Sequence, residues 1–289
     1  MIDVESFLRF YVKEISVERN VLMAYENLIK TQRFIEDFLT ENGYRVELQH
    51  YTVEEKKVAN LWVELEGFSN EIIVVGAHYD SVLHCPGAND NATGVACLLL
   101  LAKKLRKCKF RRRIRFVFFV NEEPPFFQTP KMGSYVYAQS IKGENITAML
   151  SLETLGYYTN KPNSQDYPLS LIFKMKYPST GNFLAFVSNP MSSKLMKRAL
   201  ELFKQSVSFP TEGGAYPECI PGVGWSDQWS FWKIGVPAVM LTDTAPFRYP
   251  FYHSSEDTPD KINYPALAKI YTGIESIVKG LAQDKVSYK

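Results

Sequence analysis

The chain has few cysteines, little net charge and no long apolar run, and each shortage removes a class of protein. Its four cysteines, Cys85, Cys97, Cys108 and Cys219, form no CxxC pair, which argues against a thiolate zinc site or a disulfide framework. A formal net charge of +2, with acids and bases mixed along the chain, sets up no field that would gather nucleic acid or an anionic membrane. No stretch approaches the roughly 18 consecutive apolar residues that span a bilayer. The N-terminal MIDVESFLRF carries acids where a secretory leader carries bases. Reduced thiols and no export signal point to a cytoplasmic protein. The expected partner is a small molecule or peptide, with no nucleic acid and no membrane.

What is present is enough for a large core. At 289 residues, 46% hydrophobic and 14% aromatic, the chain is expected to form one domain over residues 1–289. Residues 18–41 place Leu22, Tyr25, Ile29, Phe34 and Phe38 near helical spacing, with Gly43 beyond as a stop. Short apolar or alternating runs at 46–51, 59–65, 72–77, 114–120 and 148–152 read as strands. Residues 95–105 are apolar nearly all round, which suits a helix pressed against a sheet. Further helices are expected at 191–204, 225–234 and 264–281, and a strand at 237–241. Strands alternating with helices predict a three-layer α/β fold. Residues 156–180, rich in Tyr, Pro, Asn, Ser and Lys, read as a long functional loop. The basic run from Lys107 to Arg115 reads as a solvated approach to the apolar strand that follows.

Chemistry concentrates where the apolar runs stop. VVGAHYDS ends a strand on His78, with Asp80 two residues on and on the same side if the strand continues. A metal-bound imidazole commonly hands its second N–H to a carboxylate, so His-x-Asp suits a ligand and its brace. PGANDNATGVA opens into the buried helix, and Asp90 there is either a helix cap or a carboxylate aimed across the strand ends. In RFVFFVNEEPPFF two adjacent carboxylates, Glu122 and Glu123, follow an intensely apolar strand. Both enter one site only if the chain turns, and Pro124 and Pro125 favour a turn. MLSLETLGYY ends a further strand on Glu153, and PFYHSSEDTPD brings His253 in a polar loop. If one of the Glu122–Glu123 pair binds metal while the other holds a water proton, three ligand carboxylates remain on one sheet edge, and they repel one another unless cations are bound. Against two divalent ions they leave one positive charge, which a bound hydroxide cancels.

HYDS, PGANDNATGVA, NEE, SLETLGY, GWSDQWSFWKIGVPAVM and YHSSEDTPD, in this order over residues 15–285, resemble the di-zinc aminopeptidase family that also contains glutaminyl-peptide cyclases and glutamate carboxypeptidase-like proteins. The resemblance implies a three-layer α/β/α sandwich around a mixed, mostly parallel central sheet. It implies two Zn²⁺ ions, other divalent metals being allowed, with Asp90 bridging, His78 and Glu153 completing one site, and Glu123 and His253 the other. Glu122 would be the general base, Asp80 the brace, and the Asp90–Asn91 peptide cis. The family pattern is departed from twice: many members have Asp where Glu153 stands, and His or Tyr where Gln228 stands.

An aminopeptidase acting on a peptide or aminoacyl amide is the activity implied. Gln228 is the candidate hydrogen-bond donor near the oxyanion, or a brace for Asp227. The aromatic cluster that includes Trp225, Trp229, Trp232, Phe247 and Tyr252 is expected to contribute walls of a specificity pocket. Three alternatives stand beside this reading: a cyclase using one metal, a carboxypeptidase with Arg248 as its carboxylate clamp, and a non-catalytic binding protein.

Overall fold

A computed structural model describes residues 2–288, apart from the side chains of Ser170 and Leu171. In chain order the elements are α1 (Val4–Ile15), α2 (Tyr25–Glu41), β1 (Glu47–Val53), β2 (Lys56–Leu65), β3 (Ile72–His78), α3 (Thr93–Leu105), β4 (Arg113–Phe119) and α4 (Gly133–Ser140). There follow β5 (Ile146–Glu153), α5 (Ser170–Lys174), β6 (Leu184–Ser188), α6 (Ser193–Ser206), β7 (Thr211–Ala215), α7 (Gln228–Trp232), β8 (Ala238–Thr242) and α8 (Tyr264–Gln283). The eight strands form one sheet in the order β1-β2-β4-β3-β5-β8-β6-β7. The central strands β4, β3, β5 and β8 run parallel; β1 pairs antiparallel with β2 and β2 with β4, while β6 pairs antiparallel with β8 and parallel with β7. The fold is thus α/β with a mixed, mostly parallel sheet between helical layers.

Strand alternation builds both layers. On β3, Ile73, Val75 and Ala77 enter the larger core with α1, α2, α3, α6 and α8, while Ile72 and Val74 enter a smaller one beneath α4 and α7. Gly76 lies where any Cβ would meet the Phe119 ring at 2.4 Å, so a larger residue there would push β3 away from β4.

Several expectations need correction. The helix expected over 18–41 begins only at Tyr25, because Arg19 is fully buried and Asn20 Oδ1 accepts the N–H of Met23 at 2.8 Å, closing a turn. The basic run is not solvated throughout. Arg112 is fully buried, donating to Glu71 and to the carbonyls of Leu281 and Val286. Arg115 donates to Glu64, Tyr137 and Glu144. These residues tie β4 to its neighbours and to the C-terminal segment. The long loop over 156–180 is present and carries the short α5. Among the described residues no helix is long and apolar enough to cross a membrane, and all four cysteines are free thiols.

Candidate active site

Parallel strands place their carboxyl ends on one edge, where open α/β sheets collect ligands. His78 and Glu153 are the last residues of β3 and β5. Between their strand ends the chain delivers Asp90 from the loop before α3, and Glu122 and Glu123 from just beyond β4. His253 arrives from the loop before α8. All but His253 are buried, and His253 is partly so.

Asp90 is not a helix cap. Helix α3 starts without a side-chain cap, and the two Asp90 oxygens face two different histidines. Oδ1 lies 3.2 Å from His78 Nε2, and Oδ2 lies 3.2 Å from His253 Nε2. Glu153 Oε2 stands 3.4 Å from His78 Nε2, and Glu123 Oε2 stands 3.2 Å from His253 Nε2. The site is therefore two triads sharing one carboxylate.

These separations are informative because the atoms do not hydrogen-bond. His78 Nδ1 and Nε2, His253 Nε2, Asp90 Oδ1 and Glu123 Oε1 are all buried without a hydrogen-bond partner, a costly condition for polar atoms. Two ligand atoms at about 2.1 Å from one tetrahedral ion stand about 3.4 Å apart, close to the spacing in each triad. The donors, imidazole nitrogen and carboxylate oxygen, suit zinc. The residues present fit a metal pair. Charge points the same way. Burial, with Glu123 and Glu153 nearby, drives the Glu122 carboxyl well above its ordinary range although His78 opposes it. Burial and then Asp90 push Glu123 up to about 7. So many buried carboxylates stay ionised only if cations offset them.

The turn that brings Glu122 and Glu123 into one site differs from expectation. It begins before the pair, at Asn121, whose φ is +58°, and a cis Pro124–Pro125 bond follows it. Asp80 holds the turn: Oδ1 accepts the N–H of Glu122 and Oδ2 that of Glu123, each at 3.2 Å. Its approach to His78 Nδ1 is longer, 3.6 Å, so Asp80 anchors the carboxylate pair at least as firmly as it braces the imidazole.

Four residues take supporting roles that the sequence does not reveal. Asp257 accepts the backbone N–H groups of Asn89 at 2.8 Å and Asp90 at 3.1 Å. Ser226 donates its hydroxyl to Glu153 Oε2 at 2.6 Å. Asn91, across a cis bond from Asp90, donates to Leu152 O and accepts from the N–H of Thr154. Arg19 reaches the carbonyls of Tyr79, Pro86 and Gly87. At Gly87, with φ of +63°, a Cβ would strike Asp90 O at 2.3 Å. The signals for Asp257 and Ser226 were available, since both stand inside the motifs YHSSEDTPD and GWSDQWSF.

Two candidate substrate contacts are corrected. Gln228 is fully buried and its Nε2 donates to Val223 O at 3.0 Å, so its amide ties down the loop before α7. Arg248 is also buried. Its guanidinium donates to Gln165 Oε1 at 2.7 Å and Phe183 O at 2.8 Å and lies over the Phe183 ring, so two of its nitrogens are engaged inside the fold while Nη2 is buried without a partner. Tyr252 is brought to the site, its ring stacked on His253 at 3.8 Å. Beside Glu153 and Tyr252 opens a cavity of about 110 Å³, walled in part by Trp225 and Phe247. Those two rings stack on each other. Trp232 is instead a core residue, bonded to Ala238 O.

Residues 60–278 match the model of peptidase family M28. The chain belongs to this family. It is 32% identical over 261 residues to an uncharacterized Escherichia coli (strain K12) protein, YfbL, covering 88% of this chain and 80% of that one. The curated aminopeptidases it matches are longer, and the matches span less than half of their length. The fold is similar to an aminopeptidase from Aneurinibacillus sp. strain AM-1, with a TM-score of 0.72 at 18% identity, over 96% of this chain and 94% of that one. It is also similar to a Fimbriiglobus ruber glutaminyl cyclase, with a TM-score of 0.69 at 18% identity, over 96% of each chain. The M28 chain thus shares its fold with both chemistries, and its site residues must separate them.

Proposed function

We propose that this M28 peptidase is a zinc aminopeptidase that holds two ions, one among His78, Asp90 and Glu153 and one among Asp90, Glu123 and His253. The observation that carries this reading is the division of Asp90, one oxygen toward each histidine. A single-metal cyclase site needs only one such triad. A zinc pair, when bound, polarises the scissile carbonyl and makes bound water acidic.

The chain's own residues do the rest. Glu122 approaches His78 Nε2 only to 4.0 Å through Oε2, which leaves its carboxylate free to act as general base. It takes the proton of the attacking water and returns it to the departing amide nitrogen. A site so rich in carboxylates favours a substrate end bearing an amine. The internal hydrogen bonds of Arg248 favour this reading over a carboxypeptidase. The cavity beside Glu153 and Tyr252 receives the side chain of the first residue.

Assay of aminoacyl chromogenic amides, free and N-acetylated, tests this. Hydrolysis of the free amides only, lost on chelation and restored by zinc, is the expected result. Equal hydrolysis of acetylated substrates, or ring closure of N-terminal glutamine without hydrolysis, would overturn it.

A further inference from the structure

The lining of the cavity beside Glu153 and Tyr252 is largely apolar and aromatic but carries two carboxylates, Glu153 and Glu212, and strand register shows how they stand. Glu153 on β5 pairs with Thr242 on β8, Thr242 with Ala185 on β6, and Ala185 with Glu212 on β7. Residues paired across strands share a face of the sheet, so Glu153 and Glu212 stand at the two ends of one line across the cavity floor. The neighbours of Glu212 agree. A Cβ on Gly213 would meet Met196 and Leu200 of α6, on the opposite face, whereas one on Gly214 would strike the Tyr216 ring at 2.4 Å and the Tyr177 hydroxyl at 2.9 Å.

Three strand spacings of ~4.8 Å separate the line's ends by about 14 Å. That distance accommodates one long side chain between two carboxylates and leaves a short one stranded. Glu212 is half-buried and its carboxylate makes no hydrogen bond or ion pair among the described residues. Burial raises its carboxyl pKa, with Lys204 opposing from a distance. Around it, Tyr177 and Tyr216 join hydroxyls at 2.6 Å. That tyrosine pair already attracts an ammonium: exposed Lys176 donates Nζ to the Tyr216 hydroxyl at 2.8 Å and stands 5.2 Å from each ring centroid.

We propose that Glu212 is a specificity-determining residue that selects an N-terminal lysine or arginine. The straight apolar stem lies along the aromatic walls, and the cationic head meets the Glu212 carboxylate and the tyrosine faces. A partly buried carboxylate without a partner is unfavourable, and the substrate's cation relieves it. This rests on the aminopeptidase reading for the chemistry but not for the binding.

The test compares lysine with norleucine, which has the same stem without the ammonium. For zinc-loaded protein, kcat/KM on lysyl p-nitroanilide should exceed that on norleucyl p-nitroanilide at least tenfold. Glu212→Gln should lower this ratio at least tenfold, and Glu212→Lys should invert it. Binding of L-lysinamide and L-norleucinamide, measured by calorimetry on the same three proteins, should follow the same order. A ratio at or below one in the unaltered protein, or one that Glu212→Gln leaves unchanged, overturns the proposal. Hydrolysis without the preference removes the role of Glu212 and leaves the aminopeptidase standing. A Glu212-dependent lysinamide preference without hydrolysis removes the aminopeptidase and leaves Glu212. Loss of both overturns both.

Discussion

Asp80 Oδ2 accepts the backbone N–H of Glu123 at 3.2 Å, and its Oδ1 accepts that of Glu122 at the same distance. One carboxylate thereby fixes both the proposed general base and a proposed metal ligand. Replacing Asp80 by Asn keeps the shape but turns one acceptor into a donor facing a backbone N–H. Zinc affinity is expected to fall about 10–100-fold, as for other residues that orient ligands. Competition with a chromogenic chelator measures this. Unaltered affinity would show that the turn at Asn121 holds the pair unaided.

Glu122 belongs to neither triad, standing 4.0 Å from the nearest imidazole nitrogen. Glu122→Gln should therefore retain zinc and fold while losing about 10²-fold or more in kcat. Metal content and steady-state kinetics on one preparation decide this. A variant that sheds zinc would instead make Glu122 a ligand.

Stability of the metal-free chain should fall as pH rises. Glu123, pushed up to about 7 chiefly by burial and then by Asp90, holds a proton in the folded state that the unfolded chain has already lost. Its effect therefore weakens the fold as pH climbs from about 4.5 to about 7. Burial opposes the His253 imidazolium, but Asp90 and Glu123 outweigh it and raise its pKa to about 11. Its stabilisation is complete below about 6.5 and is lost as pH rises through about 11. The depressed Asp90 contributes a constant stabilisation in this window. Melting in excess chelator should show Tm declining between about pH 6 and pH 9. Zinc-dependent stabilisation should grow over the same range, since binding displaces protons. A metal-free Tm that rises across this window would contradict these assignments.

Several of the candidate site residues stood out because apolar strands stop on or just before them. His78 and Glu153 end buried runs, and Glu122 and Glu123 follow one directly, where an ionised side chain is costly without a task. The motifs mark Asp257 and Ser226, but what these residues hold was not legible, because their partners are remote in sequence. Asp257 bonds Asn89 across 168 positions, and Ser226 reaches Glu153 across 73. Arg19 falls inside the helix expected over 18–41, and only tertiary carbonyl groups explain its burial. Strand β7, TEGGA, escaped notice because two glycines weaken any strand signal. The register that places Glu212 depends on that strand.

Arg248 illustrates the opposite error, a charge read as functional that is structural. Arg248→Met should cost about 2–4 kcal/mol of stability, since it leaves the Gln165 and Phe183 oxygens without their buried donor. It should not create or abolish a preference for peptides with a free C-terminal carboxylate. Denaturant unfolding and hydrolysis of matched peptides with free and amidated C-termini check both halves. Undiminished stability with a selective loss on free-carboxylate peptides would restore the clamp.

The number of zinc ions held by one chain tests the account most directly. Anomalous diffraction at the zinc edge, with elemental analysis of the same active protein, should find two ions per chain on either side of the Asp90 carboxylate. One should lie against His78 and Glu153, the other against Glu123 and His253. A fully active protein with a single ion, or with Asp90 bound through one oxygen only, would contradict it.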